Sequence, residues 1–231
     1  MIQIANLSKK YKTIEAVNIP ELIIPQGESF GLVGNNGAGK TTLFRMVLDL
    51  IRPSSGEVLM KDKVVKGNHF WKEFTGSYLD EGFLIGFLTP DEYFDFVGNL
   101  NGFNKAETKE RLIGFEEIFN GEILGSDKYI RDLSKGNQKK VGIAAAMLSN
   151  PEILILDEPF ANLDPSTQIR LKNKLRNFQK ENGCTLFISS HDLNHVTEVC
   201  ERIVVLEKGQ IIKDIKTSES TLKDLETYFA A

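Results

Sequence analysis

Ser29-Phe-Gly-Leu-Val33 runs straight into Gly34-Asn35-Asn36-Gly37-Ala38-Gly39-Lys40-Thr41. The first part is a short apolar strand. The second fits GxxxxGK[ST], the Gly-rich loop that cradles phosphate between a strand and a helix. A helix is predicted from Lys40 to about Ile51, closed by Pro53, with Leu43, Val47 and Leu50 at helical spacing on one face. Glycines let the backbone wrap close to an anion. The amide N–H groups and the positive end of the helix then face it. Lys40 is placed to reach the β- and γ-phosphates of a nucleoside triphosphate, and Thr41 to offer a hydroxyl to Mg²⁺. Asn35, Asn36, Ala38 and Thr42 complete the expected cradle.

The residues before Ser29 read as short strands with turns at Asn18-Ile-Pro20 and Pro25-Gln-Gly27. Downstream, residues 84–133 lose the strand pattern and carry Phe94, Phe96, Val97, Leu112, Phe115 and Ile118 at helical spacing, which predicts an inserted helical lobe. Then strands and helices alternate. Helices are expected at Ser134–Leu148, Pro165–Glu181 and Asp192–Cys200, and strands at Ile153–Leu156, Thr185–Ser189 and Ile203–Glu207. Such alternation implies an α/β fold with a mainly parallel sheet covered on both faces. Lys208-Gly209 reads as a hairpin turn into Gln210–Ile215.

Ile153-Leu-Ile-Leu156 delivers Asp157-Glu158 to the sheet edge where ligands of such folds bind. Asp157 is a candidate Mg²⁺ ligand. Glu158 is placed to polarise the water that attacks the γ-phosphorus. Taken alone, the pair is an ordinary acidic turn after a core strand; the phosphate loop upstream is what gives it weight.

The 231 residues suit one large domain, and 41% hydrophobic with 26% charged residues is enough for a sizeable core. A net charge of −4 argues against a nucleic-acid partner. Cys184 and Cys200 form no CxxC pair and read as reduced thiols. No signal peptide is expected, and no apolar run approaches the ~18 residues of a membrane span, so any membrane role requires another chain.

Leu133-Ser134-Lys135-Gly136-Asn137-Gln138-Lys139-Lys140 resembles the LSGGQ signature of ABC (ATP-binding-cassette) ATPases. Further matches follow in family order: Phe160-Ala161-Asn162-Leu163-Asp164 is similar to the D-loop, and Ser190-His191-Asp192 to the switch histidine. Tyr11 sits where the family carries an aromatic that stacks on adenine. The resemblance spans about Ile2 to Ile215. It implies a P-loop NTPase core (residues 1–83 and 134–215) with an N-terminal antiparallel β subdomain, an inserted helical subdomain at about 84–133 and a C-terminal helical tail at 216–231. It also implies ATP and Mg²⁺ as ligands and a catalytic set of Lys40, Glu158 and His191. A second copy would be arranged head to tail, so that Ser134, Gly136 and Asp164 meet the partner's ATP. Integral membrane permease subunits would be docked through the lobe, and the chain would lie peripherally on the cytoplasmic face. Ser134 and Asp164 also fit plain helix caps, the latter with Pro165 at the first helical position. Phe83, Leu84, Phe87 and Leu88 are a candidate permease seat, equally readable as the lobe's own core.

Three departures from the family pattern stand out. In the signature, Lys135 replaces a glycine and Asn137 a glutamine; Lys135 is expected to point to solvent, the alternative being added positive charge near the partner's ATP. Glu81 stands where the family usually has the Q-loop glutamine, with Asp80 the rival alignment; a carboxylate there remains a hard ligand for Mg²⁺. The wording of Ser134–Lys140 resembles the subunits of export systems. The alternative is a soluble ABC-type ATPase of DNA maintenance or translation. Against it, only about 90 residues without heptads separate the phosphate loop from the signature, and there is one cassette. Asn173-Lys174-Leu175-Arg176 lacks the Asp of a guanine reader.

Overall fold

Four strands of the computed structural model, which describes residues 1–230, are buried along nearly their whole length: β3 (Ser29–Val33), β7 (Ile153–Asp157), β8 (Thr185–Ser190) and β9 (Arg202–Glu207). Their side chains alternate between two cores. Leu154, Leu156, Leu186, Ile188, Ile203 and Val205 face one side, while Ile153, Ile155, Phe187, Val204 and Leu206 face the other. Continuous apolar runs are what a sheet covered on both faces requires, since successive residues point to opposite sides. With β6 (Thr75–Tyr78) and β10 (Gln210–Lys216) the sheet runs β10-β9-β3-β8-β7-β6, parallel except for the edge strand β10. The hairpin into β10 turns at Lys208 and Gly209, both at positive φ (46° and 79°), as a tight two-residue turn demands.

A second sheet, antiparallel, is built from β1 (Ile2–Tyr11), β2 (Ile14–Ile24), β4 (Ser55–Met60) and β5 (Lys63–Val64), in the order β2-β1-β4-β5. One expectation fails here. Asn18-Ile-Pro20 is no turn but lies inside β2. Pro20 is tolerated because β2 is an edge strand, where a missing N–H breaks no interior ladder. The pairing steps past it, from Ala5–Glu21 to Leu7–Ile19, with Asn6 at φ 48°.

The helix α1 (Lys40–Val47) ends earlier than the Pro53 stop implies. Asp49 adopts φ 50°, and the Leu50 N–H donates to the Arg45 carbonyl at 2.8 Å, a left-handed helix ending that leaves Leu50 exposed. Packed between the sheets, α1 buries Leu43, Phe44 and Val47; Phe44 meets Phe187 edge-on at 4.5 Å.

Helices α2 (Pro90–Leu100), α3 (Lys105–Ile113) and α4 (Glu116–Phe119) occupy the stretch that lost its strand pattern. Capping boxes at Thr89/Glu92 and Asn104/Glu107 start the first two. Phe94, Leu112, Phe115 and Ile118 are buried as their spacing predicts, but Phe96 is exposed. The remaining helices are α5 (Lys135–Met147), α6 (Pro165–Asn182), α7 (Leu193–Val199) and α8 (Thr221–Ala230). No helix among the described residues is long and apolar enough to cross a membrane.

Candidate active site

The loop between β3 and α1 is shaped by close approach. Gly39 holds φ 110°, and a Cβ there would lie 2.5 Å from the Ala16 carbonyl oxygen; one on Gly34 would lie 2.3 Å from that of Leu206. Gly37 holds φ 84° in open space. The Lys40 side chain, almost fully buried, folds over this loop. Its Nζ donates to the Gly34 carbonyl at 2.6 Å and stands 3.4 Å from the Glu158 carboxylate. The positive charge is thereby held over the loop by the Gly34 carbonyl and beside the Glu158 carboxylate, at the N-terminus of α1 where an anion is favoured. Asn35 and Asn36 are exposed on the loop's rim, Ala38 is buried beneath it, and Thr42 is half-buried on the first turn of α1.

Strand β7 delivers Asp157 and Glu158 beside this loop. Thr41 Oγ1 donates to Asp157 Oδ2 at 2.5 Å, and Ser189 Oγ donates to the other Asp157 oxygen. Burial pushes the Asp157 carboxyl above its ordinary range, opposed by these two hydroxyls. A hydroxyl and a carboxylate brought to one point are hard oxygen donors of the kind Mg²⁺ takes, so the residues fit that ion. Glu158 sits at φ 47°, a left-handed conformation costing a non-glycine residue on the order of 1–3 kcal/mol. Its amide donates to Ser189 Oγ at 3.0 Å. Its carboxylate is 2.9 Å from His191 Nδ1 and accepts the His191 backbone N–H at 3.3 Å. Lys40, Thr41, Asp157, Glu158 and His191 thus form one connected network.

The Q-loop region resolves into two carboxylates with different partners. Asp80 caps a short 3-10 turn, accepting the Gly82 N–H at 2.8 Å, and its other oxygen faces Arg45 at 3.5 Å. Glu81 faces Lys135, whose Nζ is 3.9 Å away while its side chain stays mostly exposed. Two of the departures from the family pattern, Lys135 and Glu81, are therefore neighbours of opposite charge.

Ser134, Gly136 and Asp164 gather in a second place, an open hollow of about 390 Å³. Ser134 caps α5, accepting the Asn137 N–H at 3.2 Å. A Cβ on Gly136 would meet the Asn162 carbonyl at 2.8 Å, so the helix start and the turn before α6 touch through a glycine. Asp164 caps α6, and hydrogen bonds from Ser166 and Thr167 hold its carboxyl well below the usual carboxylate range. Tyr11 ends β1 at the tip of the β1–β2 hairpin, with Lys9 Nζ 5.0 Å from its exposed ring. The same hairpin carries Ala16, which abuts Gly39.

Two residues of this arrangement escaped the sequence reading. Ser189 is fully buried at the end of β8 and serves both Asp157 and Glu158. The signal was Ser189-Ser190 closing an apolar strand. Lys139 is 4% exposed and donates to the Glu158 main-chain oxygen at 2.6 Å. Its only signal was a lysine at the head of the long apolar run of α5.

A family profile described as "ABC transporter" matches residues 17–161, and one described as "AAA domain, putative AbiEii toxin, Type IV TA system" matches residues 127–196. Among curated proteins, the chain is 36% identical to the uncharacterized ABC transporter ATP-binding protein YhaQ of Bacillus subtilis, over 95% of this chain and 72% of that one. It is 34% identical to the bacitracin transport ATP-binding protein BcrA of Enterococcus faecalis, over 95% and 70%. It is 32% identical to the uncharacterized ABC transporter ATP-binding protein sll0415 of Synechocystis, over 92% of this chain but 62% of that one. The chain therefore spans roughly two thirds of the length of these relatives. Among solved structures, the ATP-binding cassette MJ0796, a dimer in a post-hydrolysis state bound to ADP and Pi, superposes with a TM-score of 0.84 at 26% identity, covering 94% of this chain and 99% of that one.

Proposed function

This chain belongs to the ABC transporter family, and from that membership we propose that it is the ATP-hydrolysing subunit that powers transport through a separate membrane permease. The observation that carries the reading is the single network joining Lys40, Thr41, Asp157, Glu158 and His191. The triphosphate lies in the cradle Gly34–Thr42, with Lys40 against its β- and γ-phosphates and Tyr11 stacked on the adenine. Thr41 and Asp157 would hold Mg²⁺, with Glu81 as a further ligand; the ion supplies positive charge beside the phosphate oxygens. Glu158 takes a proton from the attacking water, and His191, bonded to that carboxylate, orients it and meets the γ-phosphate.

Ser134, Gly136 and Asp164 stand apart from this network, which supports a head-to-tail pair in which they close over the partner's ATP. A shell completed in trans makes the isolated chain a poor hydrolase. Binding closes the pair and hydrolysis reopens it. The ATP-binding core is assigned to residues 1–83 and 134–215, the permease-facing lobe to about 84–133 and the tail to 216–231, with the whole lying on the cytoplasmic face of the membrane. Direction rides with the permease. The signature wording leans towards export, while relatives include both a bacitracin transport and a methionine import ATP-binding protein.

Glu158→Gln is the test. It should keep ATP binding, lose at least about 100-fold in hydrolysis and accumulate as an ATP-bound dimer of doubled mass in size-exclusion chromatography. Unimpaired turnover would remove Glu158 from its role and the reading with it.

A further inference from the structure

Lys139 has no part in the scheme above, yet it is buried against the site. It lies one turn into α5 and is 4% exposed. A lysine is almost never fully buried unless paired. Its partner is not a side chain: Nζ donates to the main-chain oxygen of Glu158 at 2.6 Å. The Glu158 carboxylate is already held at both oxygens, by Lys40 and by His191, and its amide by Ser189. The carbonyl also accepts the Ala161 N–H, at 3.3 Å, so Lys139 is the shorter and charged hold on a residue whose φ of 47° needs outside support. Burial pushes the Lys139 ammonium below its ordinary pKa, and the carboxylates of Glu81, Glu158 and Asp157 oppose that. The opposing charges come from the end of β7, the residue just beyond it and the Q-loop.

We infer that Lys139 is a positioning residue for hydrolysis: its ammonium clamps the Glu158 carbonyl and fixes the left-handed turn that aims the Glu158 carboxylate. This rests on Glu158 being the hydrolytic base. It has a consequence for the pair. The helix α5 that carries Lys139 begins at Ser134 and Gly136, the residues assigned to the partner's ATP. One rigid helix then joins the grip on the neighbouring nucleotide to the aim of this chain's own base.

Three variants of the full chain separate this from simple packing: Lys139→Met keeps the stem and removes the donor, Lys139→Arg keeps the charge and donors, and Glu158→Gln is the reference. Lys139→Met should lower kcat at least about 10-fold while the Kd for a fluorescent ATP analogue stays within about twofold, a loss confined to the chemical step. It should also accumulate the ATP-bound dimer as Glu158→Gln does. Lys139→Arg should recover most of the rate. Parental kcat in Lys139→Met, or a kcat loss matched by weakened nucleotide binding, would overturn the inference. So would a dimer that forms in Glu158→Gln but not in Lys139→Met. If Lys139→Met does not fold, Lys139→Gln with the same three readouts decides. Failure of Glu158→Gln itself to stall hydrolysis counts against the functional reading, not against this one alone.

Discussion

At the scale of the residue, two glycines of the phosphate loop look alike in sequence and differ in consequence. Gly39 combines φ 110° with a Cβ position 2.5 Å from the Ala16 carbonyl, whereas Gly37 has φ 84° and no atom within 4 Å of that position. Gly39→Ala therefore meets backbone that cannot move aside without shifting β2, and Gly37→Ala meets only torsional strain. Gly39→Ala should cost roughly 2–3 kcal/mol of folding stability and Gly37→Ala about 1 kcal/mol, measured as urea midpoints at constant m-value. Equal losses would show that close approach to β2 is not what Gly39 serves. The cysteines give a second check. Burial pushes the Cys184 thiol up to about 12, and the Cys200 thiol is raised as well. Native protein should resist a maleimide at mild pH and react fully once unfolded, because the thiolate is the nucleophile. Lys40, Thr41, Asp157 and Glu158 were legible one by one, because each belongs to a local pattern that names its neighbours, and His191 was legible through the family resemblance. Ser189 and Lys139 were not. Their importance lies in contacts with residues 31 and 19 positions away, respectively.

Elements were legible where a face or a cap repeats within a few residues. The buried strands β7, β8 and β9, and α6 with its Asp164-Pro165 start, stand where the pattern put them. The failures occurred where tertiary position overrode a local rule. Pro20 reads as a breaker until β2 is known to be an edge strand, and α1 stops at Val47 because Asp49 turns left-handed well before Pro53. The short α7 carries the clearest acid weakness. Burial lowers the His195 pKa from its ordinary 6.5; Asp192 and Glu198 oppose the shift, and Lys172 and His191 add to it. Its ring packs 4.9 Å from Phe160, with Nδ1 buried and unbonded. The neutral form is thus the folded form. The stability it provides is complete above pH 6.5 and is lost as pH falls from there towards the lowered folded value. Between about pH 7.5 and 5.5 the urea midpoint of the parent should fall more steeply than that of His195→Gln. Parallel curves would mean that other groups set the acid limb.

For the whole molecule, the unresolved question in the sequence was whether Phe83, Leu84, Phe87 and Leu88 seat a partner or fill the lobe. The structure divides them: Phe83 and Phe87 are 53% and 67% exposed, while Leu84 and Leu88 are half-buried. Beside them lies a groove of about 310 Å³, lined by Trp71, Tyr78, Phe83, Leu84, Tyr93 and Gly142, where the core meets the helical lobe. A Cβ on Gly142 would fall 2.2 Å from the Tyr78 ring, so the groove floor is fixed by close contact between α5 and β6. Phe83 lines this concavity and Phe87 is exposed four residues further on, and exposed aromatic anchors at a pocket are what dominate an interface. An exposed phenylalanine contributes little to folding, so Phe87→Ser should leave the melting temperature and the hydrolysis rate of the isolated chain unchanged within error. Loss of one such anchor is worth about 2 kcal/mol, or roughly a 30-fold weaker complex. The measurement is co-purification, from detergent-solubilised membranes, of the membrane protein that accompanies the unsubstituted chain. Phe83→Ser and Phe87→Ser should each deplete it strongly while the soluble activity persists. If the membrane partner stays bound at parental yield in both variants, the two rings are not its seat, and the coupling surface must lie elsewhere on the lobe.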